Sequence, residues 1–171
     1  MPITGASVSS WAEELSQLAA RFTDSFEDRF GYPPGENHVV VAEPRRTQDE
    51  LASLGLQGAH ADLLTLYAQI ESVSLPDIGN GLFIHPVADP AKSGQPTTLT
   101  GDTEDQITVF GSDGGGNLFA LNATGDKVYR LSSGALHGDT YEADAGEFTV
   151  IAPLLGGFLE LVLTATARAL S

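Results

Sequence analysis

The sequence predicts an α+β domain, a mostly antiparallel sheet with helices packed on one face. Three observations lead there. Apolar residues recur at helical spacing near both ends of the chain. Between them, from Ile107 to Ile151, short apolar strands alternate with glycine-rich turns. At 171 residues and 42% hydrophobic content, the chain is long enough for one domain with a substantial core and short for two.

Trp11, Leu15, Leu18, Phe22, Phe26 and Phe30 form the first helical stripe, with acidic residues between them. Ser10 and Glu13 have capping-box spacing, and Gly31 with Pro33-Pro34 stops the helix. The run Asn37 to Ala42 reads as a short strand. Thr47 and Glu50 repeat the capping spacing before Leu51 and Leu54, and Gly55 and Gly58 interrupt that helix. Asp62 is placed to cap another helix, whose face carries Leu63, Leu66, Tyr67 and Ile70. Ser74 to Gly81 is a run of turn residues, followed by a strand in "LFIHPV". Ala88 to Gln106 is polar and rich in turn formers, which predicts a long surface loop. Strands follow at Ile107–Phe110, Asn117–Leu121, Lys127–Leu131 and Phe148–Ile151, with a hairpin turn at Gly125. The apolar C-terminal run has Glu160 as its one charge from Ala152 to Ala167. It is too short for a bilayer, which needs roughly 20 residues, and predicts a core helix on the sheet.

The stretch "ITVFGSDGGGNLFAL" poses the main chemical question. A phosphate-binding loop needs Lys and Ser or Thr directly after its glycines, at the start of a helix. Here Gly116 is followed by Asn117, Leu118 and Phe119, and the next element is a strand. Gly111, Gly114, Gly115 and Gly116 therefore read as the turn of a hairpin, where positive φ is needed. Gly79, Asn80 and Gly81 in "PDIGNG" read as a second structural turn.

The segment "VFGSDGGGNLFALNATGDKVYRL" resembles the glycine-rich strand pair of the SUKH superfamily, the Smi/Knr-like proteins related to a fungal cell-wall-synthesis regulator. Upstream, "DLLTLYAQIESVSLPDIGNGLFIHPV" is similar to the family's helix, turn and first sheet strand. Downstream, "FLELVL" is similar to its closing helix. The resemblance covers about residues 47–165 of a single domain spanning 1–171, with 1–46 as an N-terminal helical extension. It implies a Smi/Knr-like fold and a non-enzymatic protein-binding domain. Many bacterial-type members look like immunity proteins that neutralise polymorphic or contact-dependent toxins, often nucleases. Others look like regulatory scaffolds.

Charge bears on the partner. Eight Lys+Arg against 23 Asp+Glu give a net charge of −15, spread along the whole chain. Such a body repels nucleic-acid phosphates and anionic lipid, and favours basic partners such as a toxin domain. The plainer reading of the same charge is solubility. The exposed acids expected to meet a partner are Asp102, Glu104, Asp105, Asp139, Glu142 and Asp144. The N-terminus lacks the basic and apolar regions of a signal peptide, so a cytoplasmic location is expected.

No catalytic, cofactor or metal site is expected. There is no cysteine, and His38, His60, His85 and His137 lack metal-ligand spacing. Asp102, Glu104 and Asp105 lack the spacing of a calcium loop. No G-x-S-x-G elbow occurs, and Arg45-Arg46 is too small a patch for nucleic acid. A competing reading makes the protein a small-ligand binder or enzyme. It predicts a cleft walled by the two glycine turns, beside Asp77, Asn80 and Asp113.

Overall fold

The computed structural model describes residues 3–56 and 59–171. Helix α1 (Gly5–Phe30) begins before the Ser10–Glu13 spacing suggests. Thr4 Oγ1 accepts the Ser7 amide at 3.0 Å, and Ser7 Oγ accepts the Thr4 amide at 2.9 Å. Serine thus closes the capping box, six residues before the Ser10–Glu13 pair whose spacing suggested one. Gly31, with φ 79°, ends the helix. Val8, Trp11, Leu15, Phe22 and Phe26 are buried, whereas Phe30 is 47% exposed and falls off the stripe.

Strand β1 (His38–Val41) and helix α2 (Gln48–Leu51) follow, the latter capped by Thr47 Oγ1. A π-turn at Ala52–Leu56 contains Gly55; Gly58 lies outside the described residues. Helix α3 (Ala61–Gln69) is capped by His60, whose Nδ1 accepts the Asp62 amide at 3.0 Å. Asp62 is therefore a first-turn residue and not the cap. Ile70 leaves the helix and opens β2 (Ile70–Leu75), a strand the sequence did not announce. Ile70 and Val73 continue the helical three-residue step, so the change of period was hidden.

The chain continues through β3 (Leu82–Ile84), the single turn α4 (Pro90–Ser93), β4 (Thr98–Gly101) and β5 (Asp105–Asp113). Then come β6 (Leu118–Asn122), β7 (Val128–Leu131), β8 (Ala135–His137), β9 (Thr140–Ala143), β10 (Phe148–Ala152) and α5 (Leu155–Ala169). The expected loop at Ala88–Gln106 is thus broken by α4 and β4. Strand β4 escaped notice because Leu99 is its one apolar side chain.

The result is an α+β fold with ten strands among the described residues, mostly antiparallel. The main sheet runs β1-β2-β3-β5-β6-β7-β10. Strand β5 carries β6 along one edge and, on the other, β3 at one end and β4 at the other. Through β4 it holds a small outer sheet, in which β4 pairs in parallel with β9 and β9 pairs with β8.

Alternation divides the core. Phe119, Leu121 and Val128 face α1, α3 and α5 in the larger cluster. Ala120, Tyr129 and Leu131 face the other way and pack with Leu99, Tyr141 and Ala143 of the small sheet. Helix α1 belongs to the larger cluster, and Trp11 Nε1 donates to the Leu159 carbonyl of α5 at 2.8 Å. The N-terminal segment is therefore built into the core, at about 1.5–3 kcal/mol for each large apolar side chain buried. Among the described residues, no helix is long and apolar enough to cross a membrane.

Candidate functional site

Two surfaces stand out: an acidic outer sheet and a groove beside α5. On the outer sheet, Gly101 and Ala143 are register partners. Asp102 and Asp144 consequently leave adjacent strands at the same end, and Glu104 follows two residues on. Glu142 lies on β9, and Asp139 sits at the opposite end, in the β8–β9 turn. All five are exposed, and among the described residues none forms a salt bridge.

Asp105 is different. It is half-buried, and its Oδ2 accepts from Asn122 Nδ2 at 3.0 Å and from the Tyr129 hydroxyl at 2.8 Å. Burial, then the Asp105 hydrogen bond and charge, push the Tyr129 hydroxyl well above its usual pKa. The structure gives Asp105 a bracing role between β5 and the β6–β7 hairpin, apart from the free acids around it.

The groove has a volume of about 370 Å³. Leu82, Phe119, Ile151 and Phe158 supply its apolar surface, α5 from Leu161 to Arg168 supplies one wall, and Ile78–Gly81 with Asp113 and Arg130 supply the other. The two glycine turns do meet here: the Gly114 amide donates to the Asn80 carbonyl at 2.8 Å. Asn80 and Asp113 line the groove, as the competing reading required. Asp77 does not; its Oδ2 accepts from the Gly35 amide at 2.7 Å and Asn37 Nδ2 at 2.8 Å, tying the N-terminal segment to the turn.

Asp113 organises the glycine turn. Its Oδ1 accepts the amides of Gly115 and Asn117 at 2.9 and 3.0 Å. Its Oδ2 accepts from Asn117 Nδ2 at 2.8 Å and Arg130 Nη2 at 3.2 Å. Burial alone would raise this carboxyl, but the hydrogen bonds from Asn117, Arg130 and Gly115 outweigh it and leave the pKa lowered. A lowered folded-state value stabilises the fold above the ordinary carboxylate range, near pH 4, and is lost as pH falls through the folded value. Denaturant titrations should show Asp113→Asn losing less stability than the parent between pH 4 and pH 2. Parallel acid curves for the two proteins would contradict this role.

Within the glycine run, positive φ occurs at Gly116 (86°) and not at Gly114 or Gly115. In the other turn, Gly79 and Gly81 have positive φ. A Cβ at Gly111 would overlap the Phe83 carbonyl, and one at Gly114 the Asn80 carbonyl. Close backbone approach, more than dihedral freedom, is what the run provides.

One constellation went unread in the sequence. His85 Nε2 lies 2.7 Å from Ser112 Oγ, joining the chain after β3 to β5. Burial lowers the His85 pKa, favouring the neutral ring. Among the described residues, the three ion pairs do not include His85. Likewise, no three His, Asp or Glu side chains among them converge as a metal site would need. Comparison with protein-family models, curated proteins and solved structures finds no match.

Proposed function

We propose that this chain is a Smi/Knr-like protein-binding domain, acting in the cytoplasm as an immunity protein against a basic toxin domain. The observation that carries the reading is the outer sheet. It gathers Asp102, Glu104, Glu142 and Asp144, exposed and without salt bridges, on a small platform held off the helical core. The resemblance of the glycine hairpin to the SUKH superfamily supports the same assignment. A surface of one sign attracts a basic nuclease face over distances that salt shortens to about 10 Å at 0.1 M.

The test begins with the open reading frame beside this gene. If it encodes a toxin domain, co-expression should restore growth of cells producing that domain. Its association rate should fall steeply with added salt, while dissociation changes less. Reversing Asp102, Glu104 and Asp144 to lysine should slow association by about tenfold at low salt without unfolding the domain. Asp105 is left intact because its change would disturb the fold. Absence of protection, or association indifferent to salt and to the reversal, would overturn the proposal.

A further inference from the structure

The groove beside α5 carries two cations on a chain whose net charge is −15. The chain carries eight Lys+Arg in all. Two of them, Arg130 and Arg168, line this one cavity. Among the described residues Asp113 is the one acid in its lining, and both of its carboxylate oxygens already accept two hydrogen bonds each. Its lone pairs are thus taken up by the glycine turn and by Arg130. Arg130 is 37% exposed and spends one N–H on Asp113, which leaves most of its five donors for another group. Arg168 is exposed and, among the described residues, has no ion pair.

The remaining surface is apolar. Phe119 and Phe158 stack in a tilted pair with ring centroids 5.0 Å apart, and Leu82, Ile151 and Val162 surround them. Leu161, 47% exposed on α5, overhangs the same space. A volume of about 370 Å³ is at the lower end of the range of roughly 300–1,000 Å³ seen for small-ligand sites. An apolar cavity with a few convergent polar groups is the usual form of such a site.

We infer that the groove between α5 and the two glycine turns binds a small apolar carboxylate. Its hydrocarbon lies on Phe119, Ile151 and Phe158, and its carboxylate meets Arg130 and Arg168. Guanidinium donors suit a carboxylate, and the pairing is stronger for being set against an apolar floor. The site is independent of the acidic outer sheet, so neither proposal depends on the other.

The probe is decanoate below its micelle concentration, followed by amide NMR and calorimetry on the full chain. Saturable shifts at Leu82, Phe119 and Ile151 are expected, with decanol at least about tenfold weaker because it lacks the charge. Arg168→Ala should weaken decanoate by about tenfold and leave decanol unchanged. Leu161→Glu, an acid placed at an exposed position on the rim, should weaken decanoate further and not disturb the melting temperature. Decanoate and decanol binding equally, or decanoate binding unaffected by either substitution, would overturn the inference. So would binding by an apolar acidic peptide, acetyl-Leu-Leu-Phe-Glu, in the absence of any decanoate binding, since the groove would then be a peptide site.

Discussion

Gly114→Ala should destabilise the fold by about 3 kcal/mol, while Gly115→Ala, one residue away, should cost less than about 0.5 kcal/mol. The added Cβ at Gly114 overlaps the Asn80 carbonyl oxygen, which also accepts the Gly114 amide. Neither atom can move without separating the two turns, because both are backbone. At Gly115 the new carbon meets Asp113 Oδ1 at 3.4 Å and Asn117 Nδ2 at 3.5 Å, which is ordinary contact. Gly116→Ala should fall between them, at about 1–2 kcal/mol, through its positive φ. In a chain of this size each kcal/mol moves the melting temperature by about 2–4 °C. The order Gly114, Gly116, Gly115 is the result to look for in thermal melts. Three equal melting temperatures would mean that the turn–turn contact carries no stability.

Asn122→Asp should be comparably severe at neutral pH and much milder in acid. Asn122 is 2% exposed, with every amide hydrogen-bonding position used. Its Oδ1 accepts the Asp126 and Lys127 amides at 3.0 and 3.1 Å. Its Nδ2 donates to Asp105 Oδ2 at 3.0 Å and to Asp126 Oδ1 at 2.6 Å. Hydrogen bonds from Asn122, then from Thr124, hold the Asp126 carboxyl below its usual range. Aspartate would replace that donor with an oxygen facing two carboxylates, at a cost of about 2–4 kcal/mol. The introduced carboxyl would have a raised folded-state pKa, since protonation restores the donor. Its penalty is therefore complete above that raised value and shrinks to that of one missing donor as pH falls to the ordinary carboxylate range, near pH 4. Urea unfolding at pH 7 and pH 4 measures the difference. A deficit of the same size at both would rule out charge repulsion as its source.

What was legible in the sequence was local. The α1 stripe, the β5–β6 hairpin at its glycines and the β6–β7 turn at Gly125 each rest on residues close together in the chain. The outer sheet was not legible because β4 pairs with β9 across about 40 residues, and short, mostly polar strands announce no partner. Asp102, Glu104 and Asp144 could be chosen for their acidity, but their common end depends on the Gly101–Ala143 register. Asp105 could not be told apart from its neighbours until Asn122 and Tyr129 were placed on it. Half of the groove was anticipated, in its glycine turns and in Asn80 and Asp113. Its cations were missed because Arg130 on β7 and Arg168 on α5 come to line one groove only in the folded chain, and nothing in their flanking residues marks them.

The sheet also governs how this molecule can and cannot join another. Its longest strand, β5, has neighbours on both sides, and β4 is enclosed between β5 and β9. The ladders end instead at β1, β8 and β10, which have four, three and five residues. Strands β1 and β10 each carry a register shift near their C-terminal ends, and Pro44 and Pro153 follow soon after. Short rims, kinked and followed by proline at β1 and β10, make poor templates for an incoming strand. Extension into a continuous intermolecular sheet is thereby discouraged, and recognition is left to side chains projecting from faces, loops and the helix surface.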